Sequence, residues 1–218
     1  MESILFLERL DAEARDVLSQ QMTTRRYSRD EIIIGQNEES SDVFFVIEGN
    51  ARVTIFSEEG KVVAYRDLST GDIFGEYSAI DGRPRSASVV AAGDLRVGRL
   101  AVAQFRELVE SHPPFTWALL SHLSHQSRNM TERIFEFSTM LVRDRLISEL
   151  TRQAELAGIE DGTAILTPAP THFDLASKIS THREAVSREM SRLSKLKLIT
   201  KHGGALILHD LEKLSALR

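Results

Sequence analysis

Apolar positions along the chain change period three times. Over Ser3–Gln21 they fall at helical spacing (Leu5, Leu7, Leu10, Ala14, Val17, Leu18), which predicts one or two short helices. From about Thr24 to Leu100 the pattern predicts short strands at Glu31–Ile34, Val43–Glu48, Ala51–Phe56, Val62–Leu68, Ala87–Ala91 and Leu95–Leu100. Turn residues punctuate them: Gly49-Asn50, Glu59-Gly60, Gly71-Asp72, Asp81-Gly82 and Gly93-Asp94. About eight short strands with regular turns predict a β-sandwich or barrel. The helical period then returns, first in a short predicted helix over Val102–Ser111 that stops before Pro113-Pro114.

The longest periodic run follows. Leu120, Leu123, Ser127, Met130, Ile134, Phe137 and Leu141 step by three and four in strict alternation, a heptad seam. A stripe that narrow calls for a partner helix, and the simplest partner is a second copy of the chain, so a homodimer is expected. The alternative is packing of this helix on the β domain. Ser127 inside the seam weakens the pair and fixes its register. Residues 142–156 predict a further helix. A polar break at Gly158–Gly162 and two prolines, Pro168 and Pro170, come next. From there the prediction is a helix (Phe173–Ile179), a tight turn (Ser180–His182), a second helix (Arg183–Leu196), and two short strands (Leu198–Lys201, Ala205–Leu208) around Gly203-Gly204. That order is a winged helix-turn-helix. The fold class expected is α+β, with domains at 1–113, 114–141 and 142–218.

Composition changes this picture only by exclusion. There is no cysteine among the 218 residues, which removes disulfides, thiolate-held iron–sulfur clusters, Cys-based zinc sites and Cys nucleophiles. No apolar run approaches the roughly 18 residues of a membrane span, and Met1–Leu10 lacks the apolar core of a signal peptide. A cytoplasmic protein without a membrane partner is expected. Charge matters more once divided. The net charge of −5 becomes −7 over residues 1–140 and +2 over 141–218. Within 171–204 seven bases (Lys178, Arg183, Arg188, Arg192, Lys195, Lys197, Lys201) face three acids (Asp174, Glu184, Glu189). A local basic face binds phosphate even on an acidic protein, because charges are screened beyond about 8–10 Å. The alternative is a solvated helix face.

Two segments carry candidate chemistry. In the run from Gly71 to Val89, Gly75 permits close backbone approach, and a helical turn after Phe74 offers N–H groups to an anion. Arg85 supplies a bidentate partner for phosphate, Glu76 an acceptor for a sugar hydroxyl, and Ser86 a hydroxyl beside the phosphate. The alternative is a structural Glu–Arg pair. In the second predicted helix of the C-terminal part, Arg183, Glu184, Ser187 and Arg188 share one face, while Ala185, Val186, Met190 and Leu193 face largely inward. Arginine matches guanine O6/N7, and glutamate accepts from cytosine N4. An acid on a phosphate-facing surface weakens binding unless it reads a base, so Glu184 is the more informative residue. Thr171 is an N-cap candidate. His182, His202 and Lys201 are candidate phosphate contacts; His172 is either another or merely exposed.

The run Phe74-Gly75-Glu76 … Ile80 … Gly82 … Pro84-Arg85-Ser86-Ala87 resembles the phosphate-binding cassette of cyclic-nucleotide-binding domains. Val43–Val53 is similar to the strand–Gly–strand corner of the same fold, and Arg183–Arg188 resembles the recognition helix of catabolite activator proteins, so the resemblance to the CRP/FNR family covers about residues 5–210. It implies a double-stranded β-helix or jelly-roll that takes a cyclic purine nucleotide, cyclic AMP first and cyclic GMP open because Ser86 could bond a syn guanine. It places Gly75 and Glu76 at the ribose, Arg85 and Ser86 on the cyclic phosphate, the Ala87 N–H beside it, and Tyr77 in the cassette. Asn129 and Thr131 on the long helix fall near the base, where Met130 departs from the hydroxyl pair common in relatives. It also implies double-stranded DNA with TGTGA-like half-sites, Arg183 and Arg188 on guanines, Glu184 on cytosine, and RNA polymerase as a partner. Thr171, His182, Ser187, Lys201 and His202 complete the expected DNA contacts. Enzyme activity is not expected: Asp72, Glu76 and Asp81 sit among glycines with no His partner, and His112, His122 and His125 lie on a separate helix. No metal site or cofactor is expected. A regulator of the same family that ignores cyclic nucleotides is the competing reading.

Overall fold

The computed structural model describes residues 6–56 and 62–218. The expected turn at Glu59-Gly60 and the helical position of Leu5 lie outside these residues. The chain divides into two compact units, Ile4–Arg128 and Asn129–Arg218.

The first unit opens with a 3-10 turn (Phe6–Arg9) and helix α1 (Ala12–Gln21), whose first turn is capped by the Asp11 carboxylate accepting from the Ala14 N–H at 2.8 Å. Eight strands follow among the described residues: β1 Thr23–Tyr27, β2 Ile32–Ile34, β3 Val43–Glu48, β4 Asn50–Phe56, β5 Val62–Ser69, β6 Ile73–Phe74, β7 Ser88–Ala91 and β8 Leu95–Leu100. They form two antiparallel sheets, β1-β8-β3-β6 and β2-β7-β4-β5. Helix α2 (Glu76–Asp81) interrupts the strands, and α3 (Val102–Ser111) follows them.

Strand β3 explains the layering. Val43 and Phe45 join a core with Phe6, Leu18, Phe105 and Phe115 from the helices. Phe44 and Val46, on the opposite face, join the core between the sheets with Val53, Phe74, Val89 and Val97. Both faces of this strand are therefore apolar, and the sequence reads Val-Phe-Phe-Val-Ile rather than alternating with polar residues. The β3–β4 corner turns on Gly49 at φ +91°, where a Cβ would lie 2.3 Å from the Asp94 carbonyl oxygen.

Helix α4 spans Pro113–Thr139. The expected seam ends one position short: Leu141 falls beyond α4 and serves as N-cap of α5 (Val142–Ala157). The second unit continues with β9 Ala164–Leu166, α6 His172–Lys178, α7 Arg183–Lys195, β10 Ile199–His202, β11 Ala205–Leu208 and α8 Leu211–Ser215. The three strands pair in the order β10-β11-β9. Val186, Met190 and Leu193 put one stripe of α7 into the core of this unit, against residues such as Leu150, Leu175 and Leu206; Ala185 is only half-buried. Beneath α6 a buried carboxylate, Glu149 (3% exposed), meets Arg133 of α4 at 3.7 Å and Lys178 of α6 at 3.4 Å, with Arg152 also paired to it. No helix among the described residues is long and apolar enough to cross a membrane.

Candidate nucleotide and nucleic-acid sites

The cassette is built by the turn from β6 into α2. Gly75 is the N-cap of α2 at φ +83° and ψ 3°, and a Cβ there would sit 2.9 Å from Arg85 Nη1 and 3.0 Å from the Asp42 carbonyl oxygen. Glycine is thus fixed twice, by the left-handed backbone and by the guanidinium packed against it. Arg85, 3% exposed, donates from Nε to Ser40 Oγ at 2.8 Å, from Nη1 to the Gly75 carbonyl at 2.7 Å and from Nη2 to the Asp42 carbonyl at 2.7 Å. Those three bonds use three of its five N–H groups. Burial lowers its pKa, opposed by the charges of Asp42, Glu38 and Glu76. The side chain stays cationic, since arginine does not deprotonate in proteins.

Glu76 is buried (5% exposed) at the start of α2. Its Oε1 accepts from Gln126 Nε2 at 3.1 Å and lies 3.7 Å from His122 Nε2. Gln126 Nε2 also reaches His122 Nε2, and Gln126 Oε1 accepts from the Tyr77 hydroxyl at 3.3 Å. Burial pushes the Glu76 carboxyl up, but His122 beside it and, more weakly, Arg66 outweigh that and hold it below the usual carboxylate value. The expectation that Glu76 lacks a His partner is corrected here. His122 is far away in sequence and comes to the carboxylate because the first half of α4 packs on this unit, with Phe115, Ala118 and Leu119 in the same core as Ala79 of α2. Ser86 is exposed and Ala87 half-buried in the bend before β7. The α4 residues that touch the cassette within the first unit include His122 and Gln126, one helical turn apart; the expected Asn129 and Thr131 lie further along, in the second unit, half-buried and exposed respectively.

The second site is a surface. Arg183, Glu184 and Arg188 are all exposed on α7, opposite the buried stripe. His182 is the exposed N-cap of α7, and Lys201 and His202 are exposed on β10. Thr171 is the N-cap of α6: its hydroxyl accepts from the Asp174 N–H at 3.0 Å and donates to Asp174 Oδ2 at 2.7 Å. Ser187, half-buried, is tied to His172 Nδ1 at 2.7 Å across the α6–α7 corner. Burial and the charges of Lys201 and Arg183 push the His172 pKa down. An open depression of about 540 Å³ continues along α7, lined by Ser187, Arg188, Ser191, Arg192, Lys195 and Leu196. Ser191 and Lys195 are exposed and were not among the expected contacts, although their four-residue spacing from Ser187 is legible in the sequence.

A buried anion cassette in a β-roll and an exposed basic helix in a winged helix-turn-helix define a ligand-binding, DNA-binding regulator. The cyclic nucleotide-binding domain family matches residues 24–112, and the Crp-like helix-turn-helix domain family matches residues 144–217. The chain belongs to the CRP/FNR family of transcription regulators. A cAMP-activated global transcriptional regulator CRP from Salmonella typhimurium is 25% identical over 188 residues, covering 84% of this chain and 88% of that protein. A cAMP-dependent protein kinase regulatory subunit from Mycosarcoma maydis is 40% identical over 100 residues, 46% of this chain and 19% of that one. The solved structure of CLP, a c-di-GMP responsive global regulator from Xanthomonas campestris, superposes with a TM-score of 0.81 at 16% identity, covering 91% of this chain and 99% of that one; at that identity it carries the fold alone.

Proposed function

We propose that this chain is a homodimeric, cytoplasmic transcription regulator whose operator binding is controlled by a cyclic purine nucleotide, cyclic AMP before cyclic GMP. The observation that carries the nucleotide is the pairing of a pinned cation and a buried anion across one glycine turn. Arg85 presents its remaining N–H groups to a cyclic phosphate from a fork already oriented by three acceptors. Glu76, kept ionised, accepts from a ribose hydroxyl. Gly75 and Tyr77 shape the sugar side, Ser86 and the Ala87 N–H add to the phosphate side, and Asn129 and Thr131 serve the base. Dimerisation is assigned to α4, whose seam residues Leu120 (50% exposed), Ile134 (65%) and Phe137 (37%) have their apolar surface open in the single chain. Two copies then present two recognition helices to half-sites one DNA turn apart, about 34 Å. Arg183 and Arg188 read guanines, Glu184 reads cytosine, and Thr171, His182, Ser187, Lys201 and His202 contact the duplex around them. RNA polymerase is the downstream partner.

A second reading, a family member that ignores cyclic nucleotides, is favoured by one observation. Arg85 and Glu76 already have good partners in Ser40, Asp42, Gly75 and Gln126, so they contribute to folding without any guest. Calorimetric titration of the full chain with cyclic AMP and with cyclic GMP separates the two. Saturable binding of one of them supports nucleotide control. Absence of heat with both, in a protein that still binds operator DNA, establishes the second reading.

A further inference from the structure

His172 is the first residue of α6 and sits where that helix crosses α7. Its Nδ1 is 2.7 Å from the Ser187 hydroxyl, which shares a helical face with Arg183, Glu184 and Arg188. The ring also lies in the field of Arg183 from α7 and Lys201 from β10. On its own helix the nearby acid, Asp174, is engaged by the Thr171 hydroxyl. One hydroxyl therefore meets the imidazole at the edge of the basic surface, and two cations act on it through their charge.

A neutral imidazole leaves Nδ1 either as acceptor of the Ser187 proton or as donor to Ser187 Oγ. An imidazolium has only the second choice. Protonation thus forces Nδ1–H to donate to Ser187 Oγ and turns the Ser187 hydroxyl proton away from His172. That proton then points to whatever acceptor lies beyond the helix face. Burial and the two cations keep the ring neutral in the free protein at neutral pH. A DNA phosphate arriving on this face offsets the repulsion from Arg183 and Lys201 and stabilises the imidazolium.

We propose that His172 is a positioning residue that sets the donor direction of Ser187, so that operator binding takes up a proton at the α6–α7 corner. This rests on the DNA-reading function proposed above and does not depend on which nucleotide acts in the β-roll. A group protonated only in the complex makes affinity rise as pH falls, with a limiting slope of about tenfold per pH unit.

The test is fluorescence anisotropy of the full chain, at fixed salt and with cyclic AMP present. It uses an inverted-repeat TGTGA duplex and a scrambled duplex. Between about pH 8 and about pH 6 the wild type is expected to tighten roughly fivefold to tenfold on the operator. His172→Gln keeps a hydrogen-bonding side chain that does not titrate, and its pH slope is expected to fall within about twofold of flat. Ser187→Ala is expected to flatten in the same way, whereas His112→Gln, in the first unit and outside the proposed DNA contacts, keeps the slope. A flat wild type, or a His172→Gln variant that retains the wild-type slope, overturns the proposal and leaves operator reading intact. A wild type that never distinguishes the operator from the scrambled duplex overturns operator reading, and the proposal with it.

Discussion

Arg85 in the β-roll is 3% exposed and holds two backbone carbonyls and a serine, whereas Arg183 and Arg188 on α7 stand exposed on a helix whose other face is core. The cassette is therefore a structural element whatever it binds: its charge is desolvated, oriented and hydrogen-bonded by the chain itself. Such preorganisation makes the same residues answer for folding and for affinity. The recognition face keeps the two roles apart. Val186, Met190 and Leu193 hold α7 in place, and the arginines and Glu184 stand exposed on the other face, where the proposed function sets them against bases. Substitutions in the two regions should accordingly split stability from function in different ways.

The largest effect belongs to Arg85. Arg85→Leu leaves the Gly75 and Asp42 carbonyls and Ser40 Oγ without their donor inside a buried site, a loss of about 3 kcal/mol or more. The expected outcome is a lower midpoint in chemical denaturation together with loss of nucleotide-stimulated operator binding. A variant of wild-type stability would break the comparison, because it would mean the guanidinium serves the ligand alone. Glu184→Ala, on the exposed face, is expected to leave the midpoint unchanged and to relax base preference at a single operator position by about 1–3 kcal/mol. Systematic single-base operator variants check this. Weakening spread evenly over all of them would show that Glu184 acts on the general field and not on a base.

The same contrast governs what could be read from the sequence. The cassette was legible because its glycine, its carboxylate and its guanidinium lie within one short contiguous segment, and β3 and β8 matched their expected bounds, β3 through its run of five apolar residues and β8 through Leu95, Val97 and Leu100 set between arginines and a glycine. What stabilises the cassette was not legible. Two of the acceptors for Arg85 are backbone carbonyls, which carry no residue signature, and the partner of Glu76 is Gln126, fifty positions away on another helix. Strand β1, Thr-Thr-Arg-Arg-Tyr, sits mostly exposed at a sheet edge and so lacks an apolar pattern. Strands β6 and β9, of two and three residues, are too short to show a period of their own and are defined by the neighbours that pair with them. On α7 the reverse holds. The exposed face of α7 was legible residue by residue because a single helix carries it, while the His172–Ser187 bond across the corner needed the fold.

Thr171 gives the smallest effect and the finest division between the two kinds of site, because it combines both behaviours within the exposed region. Its hydroxyl caps α6 through the Asp174 N–H and also binds the Asp174 carboxylate, yet the residue is exposed beside the proposed DNA face. Removing an N-cap hydroxyl costs about 1 kcal/mol, so Thr171→Ala should lower stability by that amount and weaken operator binding only modestly. Thr171→Ser keeps the capping oxygen and should restore both quantities. If stability returns with serine while DNA affinity does not, the methyl group contacts the duplex and Thr171 belongs with Arg183 and Arg188. If both return together, its part in DNA binding is to hold the first turn of α6 in place, and the exposed face then contains a residue that works as Arg85 does, by ordering its neighbours.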